Sequence, residues 1–171
     1  MNRLVYIALT SIILSTGCRR IDNVTYAGFE DIASDGWDPA YVLGFSPWPV
    51  DSVMAPGTTY DVNICVRYSA RFRPTPLHLI VMSENGYTQT SDTITIRLEP
   101  PASKPGGRGS YGVYEVTRQI ASHLALQNGY IVELRSLTAK DNTRGILNIG
   151  VQLVENGPDR SSPFRFDGFF N

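Results

Sequence analysis

The stretch PGGRGSYGVYE, residues 105–115, matches G-x-G-x-x-G at Gly107, Gly109 and Gly112. In dinucleotide-binding folds such glycines let the backbone approach a pyrophosphate. That requires a strand before them and, after them, a helix whose first amides face the phosphates. Here EPPASKP separates the preceding apolar run from the glycines, and the residues after Gly112 are not convincingly helical. The stretch therefore reads as a connecting loop. Other residues able to do chemistry are sparse. His78 and His123 are the two histidines, and neither has a second ligand at metal spacing. Asp35 and Asp38 flank Gly36–Trp37. Two carboxylates fall well short of the roughly six to eight oxygens calcium takes, so SDGWDP reads as a turn capped by its aspartates. HExxH, paired CxxC and GxSxG are absent. No catalytic residue, cofactor or metal is expected.

The strongest chemical signal lies at the start, MNRLVYIALTSIILSTGCRR. Arg3 precedes an uncharged run, residues 4–17, which suits the apolar core of a signal peptide and is too short for a stable span. The run ends in LSTGC, which resembles the lipobox of bacterial lipoproteins: Ser15, Thr16 and Gly17 are small, and Cys18 would carry the diacylglycerol. Ser15 stands where the common pattern has an aliphatic residue, with Leu14 one step earlier. Residues 1–17 are thus expected to be a signal peptide and 18–22 an acylated anchor with its linker. An ordinary secreted protein cleaved nearby and an uncleaved anchor are the alternatives. One acyl chain holds marginally, whereas two or three hold durably. Acylation of Cys18 would leave Cys65 without a disulfide partner, so Cys65 is expected to be a small buried hydrophobe. Arg19 and Arg20 directly after the anchor favour a domain facing the periplasm.

Removing residues 1–17 takes only Arg3 from the 15 basic residues, leaving 14 against 16 acidic ones. That balance offers no footprint for nucleic acid. The remaining length makes one domain with a single core. Alternation dominates it. In TYDVNICVRYS, Tyr60, Val62, Ile64, Val66 and Tyr68 share one face. Leu77, Leu79 and Val81 form a second set, Ile94, Ile96 and Leu98 a third, and Tyr130, Val132 and Leu134 a fourth. Leu147, Ile149, Val151 and Leu153 form a fifth, with shorter candidates in VTYAGF and YVLGFS. Asn85–Gly86 and Asn128–Gly129 are turn pairs, the first suited to a hairpin. Residues 113–126 fit a helical or an extended pattern, and the β neighbours favour two short strands broken near Ala121–Ser122. Seven to nine strands predict an all-β, two-sheet antiparallel β-sandwich, jelly-roll-like, over residues 23–155.

Trp37, Trp48, Tyr87, Tyr111 and Tyr114 fall in or beside loops. Aromatics there serve as sugar-stacking platforms, as hot spots for proteins, or as plugs at the ends of a sandwich. Residues 156–171 are expected to be a flexible tail with Phe164, Phe166, Phe169 and Phe170, either disordered or a docking segment. The triplets Asp51–Ser52–Val53 and Asp92–Thr93–Ile94 resemble a short O-glycosylation pattern. The first is the fair candidate, because the second falls within a strand.

The ordered segments carry a resemblance. A lipobox cysteine is followed by YAGFEDI, GWDP, YDVNICVRY, LHLIV, DTITIRL, a glycine loop leading to Glu115, and GILNIGVQL. The set resembles the gliding-motility lipoprotein family GldH of Bacteroidetes over roughly residues 18–155. LTAKDNTR stands where that family tends to carry a Met-Arg pair, and the Trp often seen near its glycine loop is missing. The resemblance implies a non-catalytic, membrane-anchored lipoprotein of the cell envelope, acting on envelope proteins linked to gliding and type IX secretion. The competing expectation is a carbohydrate-binding lipoprotein using Trp37, Trp48 or Tyr87 as platforms. Expected partners are a membrane, through the lipid, and envelope proteins; no nucleic acid and no small-molecule ligand is expected.

Overall fold

A computed structural model describes residues 23–48, 57–73, 75–98 and 112–158. The lipobox residues Ser15, Thr16 and Gly17, Cys18, Tyr111, Gly107, Gly109, the Asp51–Val53 triplet and the four tail phenylalanines lie outside the described residues.

Eight strands run in order: β1 (Val24–Asp31), β2 (Val42–Trp48), β3 (Thr58–Ser69), β4 (Leu77–Asn85), β5 (Thr88–Ile96), β6 (Val113–Leu124), β7 (Tyr130–Ser136) and β8 (Ile146–Pro158). A 3-10 turn, Lys140–Thr143, interrupts the β7–β8 connection. One sheet has the order β1-β8-β3-β6 and the other β2-β7-β4-β5, with every pairing antiparallel. This is the order of an eight-stranded jelly roll. The pairs β1·β8, β2·β7, β3·β6 and β4·β5 come from one long hairpin rolled up, with successive pairs passing to alternate sheets. The all-β, two-sheet sandwich expected from the alternation is therefore the fold, and β8 runs on past the boundary expected at residue 155 to Pro158.

The core lies between the sheets, built by the predicted faces. Val62, Ile64 and Val66 of β3, Leu79 of β4, Val132 and Leu134 of β7 and Ile149, Val151 and Leu153 of β8 are fully enclosed. Leu98 and Ile96 join them, while Ile94 packs at the margin.

Three local expectations change. Residues 113–124 are one strand rather than two. The irregularity near Ala121–Ser122 is a bulge: Tyr60 pairs with Leu124 and Val62 with Ala121, so β6 spends an extra residue there. His123 takes positive φ within that bulge, and Asp61 Oδ1 accepts its N–H at 3.0 Å. Leu147 does not join Ile149 in the core. Arg67 pairs with Asn148 but Tyr68 pairs with Ile146, so the alternation of β8 slips by one at Leu147. Ile146 turns inward, and Leu147 remains 36% exposed. In the β4–β5 hairpin, Asn85 pairs with Thr88, so the two loop residues are Gly86 and Tyr87. Gly86 has φ +63°, as the first position of a type II′ turn demands.

The two ends of the roll are distinct. At one end lie the start of β1, the end of β8, the β4–β5 turn and the β6–β7 connection. Asn85 fixes the last two together: its amide donates to the Ala125 carbonyl at 3.0 Å, and its side-chain oxygen accepts the Gln127 N–H at 2.6 Å. At the opposite end lie the β1–β2, β3–β4 and β7–β8 connections, with the end of β5 and the start of β6.

Candidate functional site

Trp37, the most conspicuous candidate platform in the sequence, is structural. It is 2% exposed and plugs the end formed by the β1–β2 and β7–β8 connections. Its indole N–H donates to the Tyr41 carbonyl at 2.9 Å, and its backbone N–H donates to Thr143 Oγ1 at 2.7 Å. The same hydroxyl donates to the Lys140 carbonyl at 2.6 Å. Gly36 makes this approach feasible: with φ +111°, it lies where a side chain would run into that carbonyl. Asp38 caps its turn through the Ala40 N–H at 2.9 Å, as expected. Asp35 instead ion-pairs with Lys140 at 2.7 Å, and the hydrogen bond from Lys140 holds its carboxyl below the ordinary range.

The outer face of the β1-β8-β3-β6 sheet carries a stack that spans all four strands. Phe29 of β1 lies over Gly150 of β8, where no side chain could fit, and its ring sits 4.0 Å from the Arg67 guanidinium of β3. Arg67 donates through Nε to Glu115 of β6 at 2.7 Å. The pair is about one-third exposed, so it adds only about 1 kcal/mol or less. Phe29, Arg67 and Glu115 come from three separate segments, and the fold brings them together. Cys65 lies under this stack, fully buried, with Sγ 3.6 Å from the Thr117 hydroxyl. Burial pushes its thiol pKa up, the opposite of what a nucleophile or redox centre needs.

The outer face of the β2-β7-β4-β5 sheet is more open. Register places Ser91, Met82 and Glu133 in one row and Gln89, Glu84 and Ile131 in the next. These side chains line a shallow depression of about 350 Å³. Gly44 opposite Glu133 adds open space. Half-buried Ile80 extends the apolar surface of Met82 into a strip along β4, and Arg135 of β7 stands between it and exposed Val42. The signal for this strip was present in LHLIVM, which is apolar on both faces and not on one alone.

The sheet edges differ in kind. β1 has a register shift between Val24 and Tyr26, β2 one between Phe45 and Trp48, and β6 the irregularities opposite Tyr60, Val62 and Asn63. Such bulges blunt an edge against pairing. β5 alone among the four edges keeps an unbroken register along its whole length. Residues Thr88 to Thr93 are all exposed, and the strand TQTSDTITI contains neither Pro nor Lys. Its one charge, Asp92, lies opposite buried Val81 and so faces inward, a device that discourages indiscriminate pairing. At the tip of this strand Tyr87 is fully exposed.

The structure separates the five candidate aromatics. Trp37 is core, and Tyr114 is half-buried against Tyr68 at 5.7 Å between rings. Trp48 closes β2 opposite Tyr130, but its side chain lies outside the described part of the chain, as does Tyr111. Tyr87 is the one free platform among those described. His78 stands exposed on β4, its ring nitrogen 3.0 Å from the Thr95 hydroxyl. Gly112 opens strand β6 and no helix, which removes the geometry a dinucleotide loop needs. Among the described residues no three His, Cys, Asp or Glu side chains gather as metal ligands, and no helix is long and apolar enough to cross a membrane. No family model matches this chain, and no curated protein matches it.

Proposed function

We propose that this protein is a non-catalytic lipoprotein of the bacterial cell envelope, tethered by acylated Cys18. In this reading it acts by pairing the free edge of β5 with an extended segment of another envelope protein. The observation that carries it is the contrast among the edges: three are bulged, while β5 keeps an unbroken register and an exposed backbone edge, along which the Thr93 N–H is held by Asp92 Oδ1 at 2.7 Å. Strand addition takes its affinity from such backbone groups and its selectivity from alternate side chains. The apolar strip through Met82 and Ile80 and the neighbouring depression offer places for those side chains. The resemblance to the gliding-motility lipoproteins supports partners in the gliding apparatus and its associated secretion system. The glycan-binding reading is weaker, because it needs coplanar exposed aromatics and Trp37 is enclosed.

The test places a photo-crosslinking residue at Thr90 of β5, and separately at Arg118 of β6, in intact cells. The expected result is an envelope protein captured from Thr90 and lost when Ser91→Lys and Thr93→Lys blunt the edge. Capture of glycans alone, or equal capture from both edges, would refute it. Palmitate labelling abolished by Cys18→Ser checks the anchor independently.

A further inference from the structure

We infer that the end of the roll bearing the β4–β5 turn rests on the bilayer, with Tyr87 seated among the lipid headgroups as a second contact beside the acyl chains. This rests on the proposed acylation of Cys18 and adds to it an orientation and a residue.

Asn23 is clamped to the end of β8. Its carbonyl accepts the Glu155 N–H at 2.9 Å, and its side-chain amide donates to the Glu155 carbonyl at 3.4 Å. The chain before it therefore leaves the domain at this end. Five Cα steps separate Asn23 from Cys18, a reach of at most about 17 Å. The β4–β5 turn lies on the facing sheet, up to three strand positions away. With strands about 4.8 Å and sheets about 10 Å apart, the separation across the end is also about 17 Å. A tether no longer than the end is wide cannot let the domain turn over. The end that carries Asn23 is thereby held nearest the membrane, and the β4–β5 turn lies at that same end.

The residues projecting there suit an interface. Tyr87 is the most exposed large apolar side chain described, and it stands at the tip of a two-residue turn. The turn is rigid: Asn85 ties it to Ala125 and Gln127, and the Gln127 side chain packs where Gly86 has none. An aromatic body with a polar tip is the residue type that sits at headgroup level. Glu84 and Glu155 at this end are offset by Arg19 and Arg20 of the tether, so zwitterionic headgroups suffice for the contact. In this orientation the strands stand away from the bilayer and leave the β5 edge open to a partner.

The test uses the full acylated protein, its lipid confirmed by intact mass, in phosphatidylethanolamine–phosphatidylcholine vesicles containing brominated acyl chains. Tyr87→Trp and Leu137→Trp, one at each end, are compared in a Trp48→Phe background. The expected result is strong quenching and a blue shift for the indole introduced at position 87, and emission unaffected by bromine for the one at 137. Equal emission from both positions with the lipid present overturns the orientation while leaving the anchor standing. Absence of the lipid by mass overturns the anchor itself.

Discussion

Thr143→Val is the most direct probe of how the end opposite the β4–β5 turn is held. Valine keeps the shape of threonine and deletes one hydroxyl, which in this protein serves two backbone groups from different connections. Trp37 N–H donates to it at 2.7 Å, and it donates to the Lys140 carbonyl at 2.6 Å. Thr143 is 0% exposed, so water cannot take its place without moving the 3-10 turn. An unsatisfied buried donor costs about 1–3 kcal/mol, and the Lys140 carbonyl left without its donor adds to it, which gives about 2–3 kcal/mol in all. For a domain of this length each kcal/mol lowers Tm by about 2–4 °C, so a fall of about 5–10 °C is expected. Urea unfolding of the mature domain followed by tryptophan emission measures it, since Trp37 reports this region directly. The midpoint should fall with the slope unchanged. Thr143→Ser is the control: it keeps the hydroxyl and loses a methyl group, a cost of about 1 kcal/mol. If the valine variant is as stable as the parent, or more stable than the serine variant, the hydroxyl does not hold this end and the reasoning fails.

Gly150→Ala should displace the Phe29 ring, because the new methyl group would run into that ring and the Gly28 carbonyl. A loss of about 1–3 kcal/mol in urea unfolding is expected, partly restored by Phe29→Ala, since the clash is one of overpacking. Asp61→Asn should weaken the β6 bulge in a pH-dependent way. Burial raises the Asp61 carboxyl, but the His123 N–H and the Asn156 amide, which donates at 2.6 Å, outweigh it, and the net shift is downward. A depressed folded pKa stabilises above the unfolded value of about 3.9 and is lost as pH falls through the folded one. The variant should therefore be less stable than the parent by about 1 kcal/mol at neutral pH, the gap closing as pH falls below about 4. Stability curves from pH 3 to 7 read this, and a gap independent of pH would refute it.

How far each feature could be read in advance depended on the range of the interaction behind it. A side-chain period of two is a property of the strand itself, so the inward faces of β3, β4 and β7 stood in the sequence, as did the sandwich they imply. Turn chemistry is equally local, which is why Asn85–Gly86 marked a hairpin and SDGWDP a capped turn. The burial of Cys65 is not local: alternation puts it on the outward face of β3, and only neighbours from other strands cover it. The rolled strand order, the slip that turns Leu147 outward, and the contrast between a regular β5 edge and three bulged ones were decided only by the tertiary structure. A bulge exists only relative to the strand beside it, and an edge only once all eight strands have found their places. Trp37 shows the same division. Its residue type allowed a sugar platform or a plug, and the hydroxyl that settles the matter lies 106 positions away, across a connection that no local pattern encodes.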